Sequence, residues 1–197
     1  MNTVPTNTVI LAVALLVAAI AVVAWVFMQR KRQSQRLQQR FGPEYGRAVK
    51  ELGGQTQAEA ELKRREDRVA LLNITPLVPA DAARFTQAWK ALQGRFIDNP
   101  KEVVAEADHL VRELMTKRGY LMGDFERRAS DISVDHPGVV ATYRAAQVIA
   151  ARGARGEADT EELRTAVVHY RTLFDELLEV NPVKAVDLPK GGIPVHS

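Results

Sequence analysis

The sequence predicts an all-α protein, built as an N-terminal transmembrane helix, a charged membrane-proximal helical arm and a small antiparallel helical bundle. Three observations predict it. Val9 to Met28 is an unbroken run of twenty apolar residues. Beyond it, apolar side chains recur at spacings of three and four, and Pro, Gly and Asp/Asn punctuate the segments. No segment sustains the period-two alternation of a strand, so no sheet is expected.

The apolar run, VILAVALLVAAIAVVAWVFM, carries no charge, glycine or proline. Twenty helical residues reach about 30 Å, the hydrocarbon thickness of a bilayer. A cleaved leader would want a basic start, a shorter apolar stretch and a small-x-small exit. Here MNTVPTNT has no basic side chain, and the run ends in Trp25, Phe27 and Met28 before QRKR. Five basic residues, Arg30, Lys31, Arg32, Arg36 and Arg40, follow the run, and none precedes it. The positive-inside bias then puts the N-terminus outside and residues 43–197 in the cytoplasm. The run holds no Gly-x-x-x-Gly, the tight helix-pairing motif, and homo-oligomerisation is left open.

Charge is segregated. The chain has 27 basic and 24 acidic side chains, but residues 1–42 contribute five bases and no acid. The remainder is slightly acidic, which argues against a nucleic-acid partner. The same five basic residues form the candidate membrane-surface site, since each is worth about 1 kcal/mol of attraction to anionic lipid near the surface. Cysteine is absent, which removes disulfides, thiolate metal sites and thiol nucleophiles.

The organisation reads as an N-terminal tail (1–8), the span (9–28), a basic juxtamembrane stretch with helical arm and linker (29–79), the bundle (80–180) and a disordered tail (181–197). Gly42-Pro43 interrupts the first helix, with Pro43 suited to a new first turn. Leu37, Phe41, Tyr45, Ala48 and Leu52 make one stripe. Thr56 and Glu59 have the spacing of a capping box. The helix after them carries the i,i+4 pairs Glu59–Lys63 and Glu61–Arg65. It suits a membrane-proximal stalk or a coiled-coil arm or, preferably, a solvated helix packed through Leu62, Val69 and Leu72. Asn73 to Pro79 holds two prolines and is extended.

Five helices follow. Phe85, Trp89, Leu92 and Phe96 mark the first, which ends at Asp98-Asn99-Pro100. Val103, Ala107, Leu110 and Leu114 mark the second, closed by Gly119. Asp124 caps a short third helix with Phe125, Ala129 and Ile132. Pro137 opens the fourth, with Val140, Tyr143, Ala146 and Ile149 inward. Asp159 and Glu162 open the last, whose stripe is Leu163, Val167, Tyr170, Phe174 and Leu177.

Catalytic and metal constellations are weak. There is no His-Glu-x-x-His, no facing Glu-x-x-His pairs, no phosphate loop and no nucleophile elbow. No metal or other cofactor is expected. Asp135 beside His136, with His169 elsewhere, could support base chemistry in a helical cleft. The plainer reading makes Ser133 or Asp135 a cap for the helix opened by Pro137. His169 and Tyr170 lie in a packed helix with the surface pair Arg171–Asp175.

Several stretches, among them QQRFGPEYGRAV, AEAELKRRE, FTQAWKALQGRFIDNP, EADHLVRELMTKRGY, DFERRASDISVDHP and HYRTLFDELLE, resemble a group of bacterial single-pass membrane proteins with no assigned activity. The resemblance spans most of residues 38–179. It implies a membrane-anchored helical architecture and transfers no catalytic residue. The expectation is therefore an interaction or scaffold module at the inner membrane surface, touching lipid and an unidentified protein. Its rivals are a hydrolase-type enzyme using Asp135, His136 and His169, and an anionic-lipid or envelope sensor using the basic stretch.

Overall fold

The computed structural model describes residues 6–178, with side chains from Leu15 onward. Residues 1–5 of the predicted N-terminal tail and the predicted tail 181–197 lie outside the described residues. The described residues form eight helices and no strand. They are α1 (Thr6–Phe41), α2 (Pro43–Glu51), α3 (Gln55–Val69), α4 (Pro79–Gly94), α5 (Pro100–Arg118), α6 (Phe125–Asp135), α7 (Pro137–Ala154) and α8 (Thr160–Leu177).

Helix α1 runs for 36 residues, about 54 Å. No proline or glycine interrupts it until Gly42. Along its first described part the large apolar side chains stand exposed, from Leu15 and Leu16 through Trp25 to Phe27 and Met28. Among the described residues no helix is long and apolar enough to cross a membrane. The described apolar stretch, Leu15–Met28, amounts to about 21 Å of helix. Val9–Ala14 of the predicted span lie outside the residues whose side chains are described.

At Phe41 the helix ends because Gly42 turns the chain with φ 47° and ψ −122°, a backbone state that favours glycine. Pro43 then starts α2, its missing N–H lying where a helix has no internal acceptor to offer. Prolines open α4, α5 and α7 in the same way. Gly119 closes α5 in the left-handed region at φ 101°. A Cβ there would sit 2.4 Å from the Asn73 carbonyl oxygen, so only glycine lets this turn press on the α3–α4 connector. The Asp124 side chain accepts from the Arg127 N–H, and Asp159 and Glu162 complete the expected capping box of α8.

Three local expectations are overturned. Thr56 and Glu59 form no capping box: α3 already begins at Gln55 behind an uncapped Gly54. The Glu59 carboxylate instead accepts from Tyr45 Oη and Gln55 Nε2, both at 2.8 Å. The Glu59–Lys63 pair is thereby lost, and Lys63 pairs with Asp67 at 2.6 Å. Glu61–Arg65 does form, at 3.3 Å. Neither Ser133 nor Asp135 caps α7. Its N-cap is His136, without a side-chain bond, because α6 runs on to Asp135 and leaves only His136 ahead of Pro137. Ser133 Oγ turns back to donate to the Ser130 carbonyl at 2.6 Å.

The main core lies between α4, α5, α6, α7 and α8. Trp89 is completely buried and its ring meets Phe174 at 4.6 Å, with the Arg171 guanidinium 5.5 Å from the Trp89 ring. Truncating such a residue to alanine costs about 3–5 kcal/mol. Phe85, Leu114, Ile132, Tyr143, Tyr170 and Leu173 complete the centre. A second core joins Leu37 and Phe41 of α1 to Ala48, Ala58, Leu62, Val69 and, from α6, Val134. Helix α3 is thus packed rather than a free stalk. The end of α1 packs into this second core with α2, α3 and α6.

Candidate functional site

The five predicted surface bases divide into two groups. Their positions span about 15 Å of one helix. Arg36 and Arg40 turn onto the domain. Arg36 reaches Glu66 Oε1 at 3.3 Å. Arg40 Nε lies 3.3 Å from the same oxygen, and its other end reaches Asp135 Oδ1 at 3.6 Å. Arg40 Nε also donates to the Val134 carbonyl at 3.3 Å. Arg30, Lys31 and Arg32 are exposed and pair with no carboxylate among the described residues. Three bases therefore stay available at the end of the apolar stretch, and two lock α1 to α3 and α6.

Behind this lock runs an ionic seam that sequence reasoning missed. Glu44 on α2 is 2% exposed. Around it stand Arg47 at 3.5 Å, Arg65 of α3 at 3.7 Å and Arg144 of α7 at 3.7 Å. Arg144 also bonds Glu126, and Arg65 bonds Glu61 and Ser133. Glu66 and Asp131 are buried too. Asp131 accepts from Arg68 at 3.1 Å, with Arg127 at 3.6 Å. Each buried carboxylate meets at least one guanidinium group from another helix, the condition under which a charge survives burial. The available signal was register. Glu44 falls between Phe41 and Ala48, and Glu66 between Leu62 and Val69, on faces whose other members are apolar.

The candidate catalytic residues are not brought together. Asp135 faces Arg40 and the Tyr120 hydroxyl, the latter at 3.5 Å. Burial and the Asp135 charge push the Tyr120 phenol well above its ordinary pKa. His136 is nearly buried, and its Nδ1 lies 3.1 Å from Glu176 on α8. His169 sits seven residues before Glu176, about 10 Å along the same helix. Its Nδ1 is buried without a hydrogen-bond partner among the described residues. No bond joins His169 to Asp135 or His136 there, and no group of three metal-capable side chains occurs.

A groove of about 1000 Å³ opens between α1 and α3. Phe27, the last aromatic of the apolar stretch, lies at one end. Arg30, Lys31 and Lys63 supply positive charge, and Ser34, Gln38, Gln55 and Glu59 supply hydrogen-bonding groups. Burial pushes the Glu59 carboxyl up, but hydrogen bonds from Ser34, Gln55 and Tyr45 outweigh it and hold Glu59 below its ordinary range. Its Oε1 accepts from both Tyr45 and Gln55.

No family model, curated protein or solved structure matches the chain.

Proposed function

We propose that this chain is a single-pass membrane-anchored interaction module, with the run Val9–Met28 in the bilayer and the helical domain on the cytoplasmic face. The observation that carries the reading is the continuity of α1. One unbroken helix passes from exposed apolar side chains, through the unpaired Arg30, Lys31 and Arg32, to Leu37 and Phe41 inside the domain. Large apolar side chains exposed around a helix need cover, and lipid supplies it. The basic group after them favours the cytoplasmic side by the positive-inside rule.

The same continuity supports a scaffold role. A domain gripped through Arg36, Arg40, Leu37 and Phe41 keeps its angle to the membrane and presents a fixed face. Partner contact is supported at the α3–α4 and α5–α6 connectors, the first of which is tied to the end of α5 by the Thr75 N–H donating to the Arg118 carbonyl at 2.9 Å. These expose Leu71, Leu121 and Met122.

The anchor is tested on membranes from cells expressing the chain. It should resist alkaline carbonate extraction. Because the chain has no cysteine, Thr3→Cys and Ile97→Cys report the two sides. An impermeant thiol reagent on intact cells should reach the first and not the second. Extraction into the carbonate supernatant, or labelling of Ile97→Cys alone, would overturn the reading.

A further inference from the structure

We propose that the groove between α1 and α3 is a binding site for one phospholipid headgroup, a phosphodiester carrying a hydroxylated alcohol of the phosphatidylglycerol type. The inference rests on the membrane-anchor reading for where the lipid comes from, and on the groove itself for what is recognised.

The groove begins at Phe27, where the apolar stretch of α1 ends, and continues past Arg30 and Lys31 to Ser34 and Gln55. A lipid lying along α1 would therefore keep its chains beside the exposed apolar side chains. Its phosphate would fall one turn further on, at Arg30 and Lys31. Neither base is engaged by a carboxylate among the described residues, so both can pair with a phosphate without breaking an existing pair. Arg36 and Arg40, one or more turns on, are already held by Glu66 and Asp135 and are not part of the site.

The groove also contains an anion, and this sets its selectivity. Glu59 Oε1 accepts from Tyr45 and Gln55, and Ser34 also bonds the carboxylate; a carboxylate offers about four acceptor positions, so Glu59 can still accept from a ligand. A carboxylate acceptor suits a headgroup hydroxyl and repels a headgroup carboxylate. Phosphatidylserine, with its own carboxylate, is therefore disfavoured although it is anionic. Lys63 is held by Asp67, but the two free bases Arg30 and Lys31 against one acid leave the groove net positive, which favours an anionic headgroup over zwitterionic phosphatidylethanolamine. A merely basic helix end would attract all anionic lipids according to charge alone, so selectivity separates a built site from a basic patch.

The test uses the full chain in detergent, titrated with short-chain lipids below their micelle concentration and read by native mass spectrometry. Dihexanoyl phosphatidylglycerol should bind about tenfold more tightly than the serine and ethanolamine analogues, the effect of one charge-assisted hydrogen bond. R30Q with K31Q should lower phosphatidylglycerol binding about tenfold. E59Q should narrow the gap between glycerol and serine headgroups, because it removes the repelling charge and keeps an acceptor. Equal binding of glycerol and serine lipids would overturn the site, and so would indifference to the Arg30 and Lys31 changes. Equal affinity for deacylated glycerophosphoglycerol would overturn the lipid assignment in favour of a soluble phosphodiester. The lipids are monodisperse, so this result is independent of carbonate extraction, and a failure of the anchor is distinguishable from a failure of the groove.

Discussion

Arg40 Nε lies 3.3 Å from Glu66 Oε1, and that pair joins the last turn of α1 to α3. Its two members are unequal. The Glu66 side chain is 7% exposed and that of Arg40 is 41% exposed. Removing the acid leaves bases that water can solvate. Removing the bases leaves a buried carboxylate with only Lys63, 3.9 Å away.

An asymmetry in mutational cost follows from this. Glu66→Gln should cost about 1 kcal/mol, as for partly exposed pairs. Arg36→Gln with Arg40→Gln should cost about 3 kcal/mol, because a buried charge loses its partners. Urea unfolding of a fragment from Gln33 onward measures both. Equal losses would mean that Glu66 is reached by water.

The position of Phe41 predicts where the folded domain begins. Leu37 is 1% exposed and Phe41 is completely buried, against Ala48, Leu62 and Val134 among others. A fragment starting at residue 43 loses both side chains and exposes the surface they cover. It should unfold at distinctly lower urea than a fragment starting at Gln33. Phe41→Ala in the longer fragment should cost about 3–5 kcal/mol. A loss below about 1 kcal/mol would show the α1 contact to be dispensable.

Much of this fold was legible because helical signals are local. The Leu163, Val167, Tyr170, Phe174 and Leu177 stripe is buried as its spacing implies, and Asp159 with Glu162 forms its box. The Thr56–Glu59 box failed because Tyr45, on another helix, competes for the same carboxylate. Ser133 and Asp135 failed as caps because both belong to α6, which ends at Asp135. The seam was illegible for a different reason. Whether Glu44 is buried depends on Arg65 and Arg144, far away in sequence, and only the folded chain brings them to it. Among the predicted surface bases, composition could not separate Arg36 and Arg40 from Arg30, Lys31 and Arg32. That division depends on where Glu66 comes to lie.

Acid should loosen the α1–α3 contact. The folded pKa of Glu59 is depressed, so its contribution is full above its unfolded value and is lost as pH falls through the folded value. Glu162 is shifted the same way, chiefly by the backbone N–H of Asp159 and then by Arg152, and adds to the same window. Stability should be flat above about pH 5 and fall below about pH 4. Glu59→Gln should reduce that slope, checked by thermal unfolding across a pH series. An unchanged slope would place the acid sensitivity elsewhere.

The last prediction separates an interaction module from an enzyme. Asp135 accepts from Arg40 and Tyr120, and His136 meets Glu176. Asp135→Asn keeps a carbonyl for both donors, and His136→Gln keeps a polar end of similar reach toward Glu176. Asp135 and Glu176 are part-exposed, so the combined loss should be about 1–2 kcal/mol. Neither amide titrates near neutral pH, so any general-base step at these residues would be abolished. With His169 about two turns along α8 from the His136 contact, no third member is placed to substitute. The double variant should therefore remain folded and helical, remain in the membrane fraction, and complement a deletion strain. Complementation is scored beside protein level and circular dichroism, so that a folding defect is recognised as such. A folded, membrane-bound double variant that fails to complement would assign chemistry to Asp135 and His136 and end the scaffold reading of this junction.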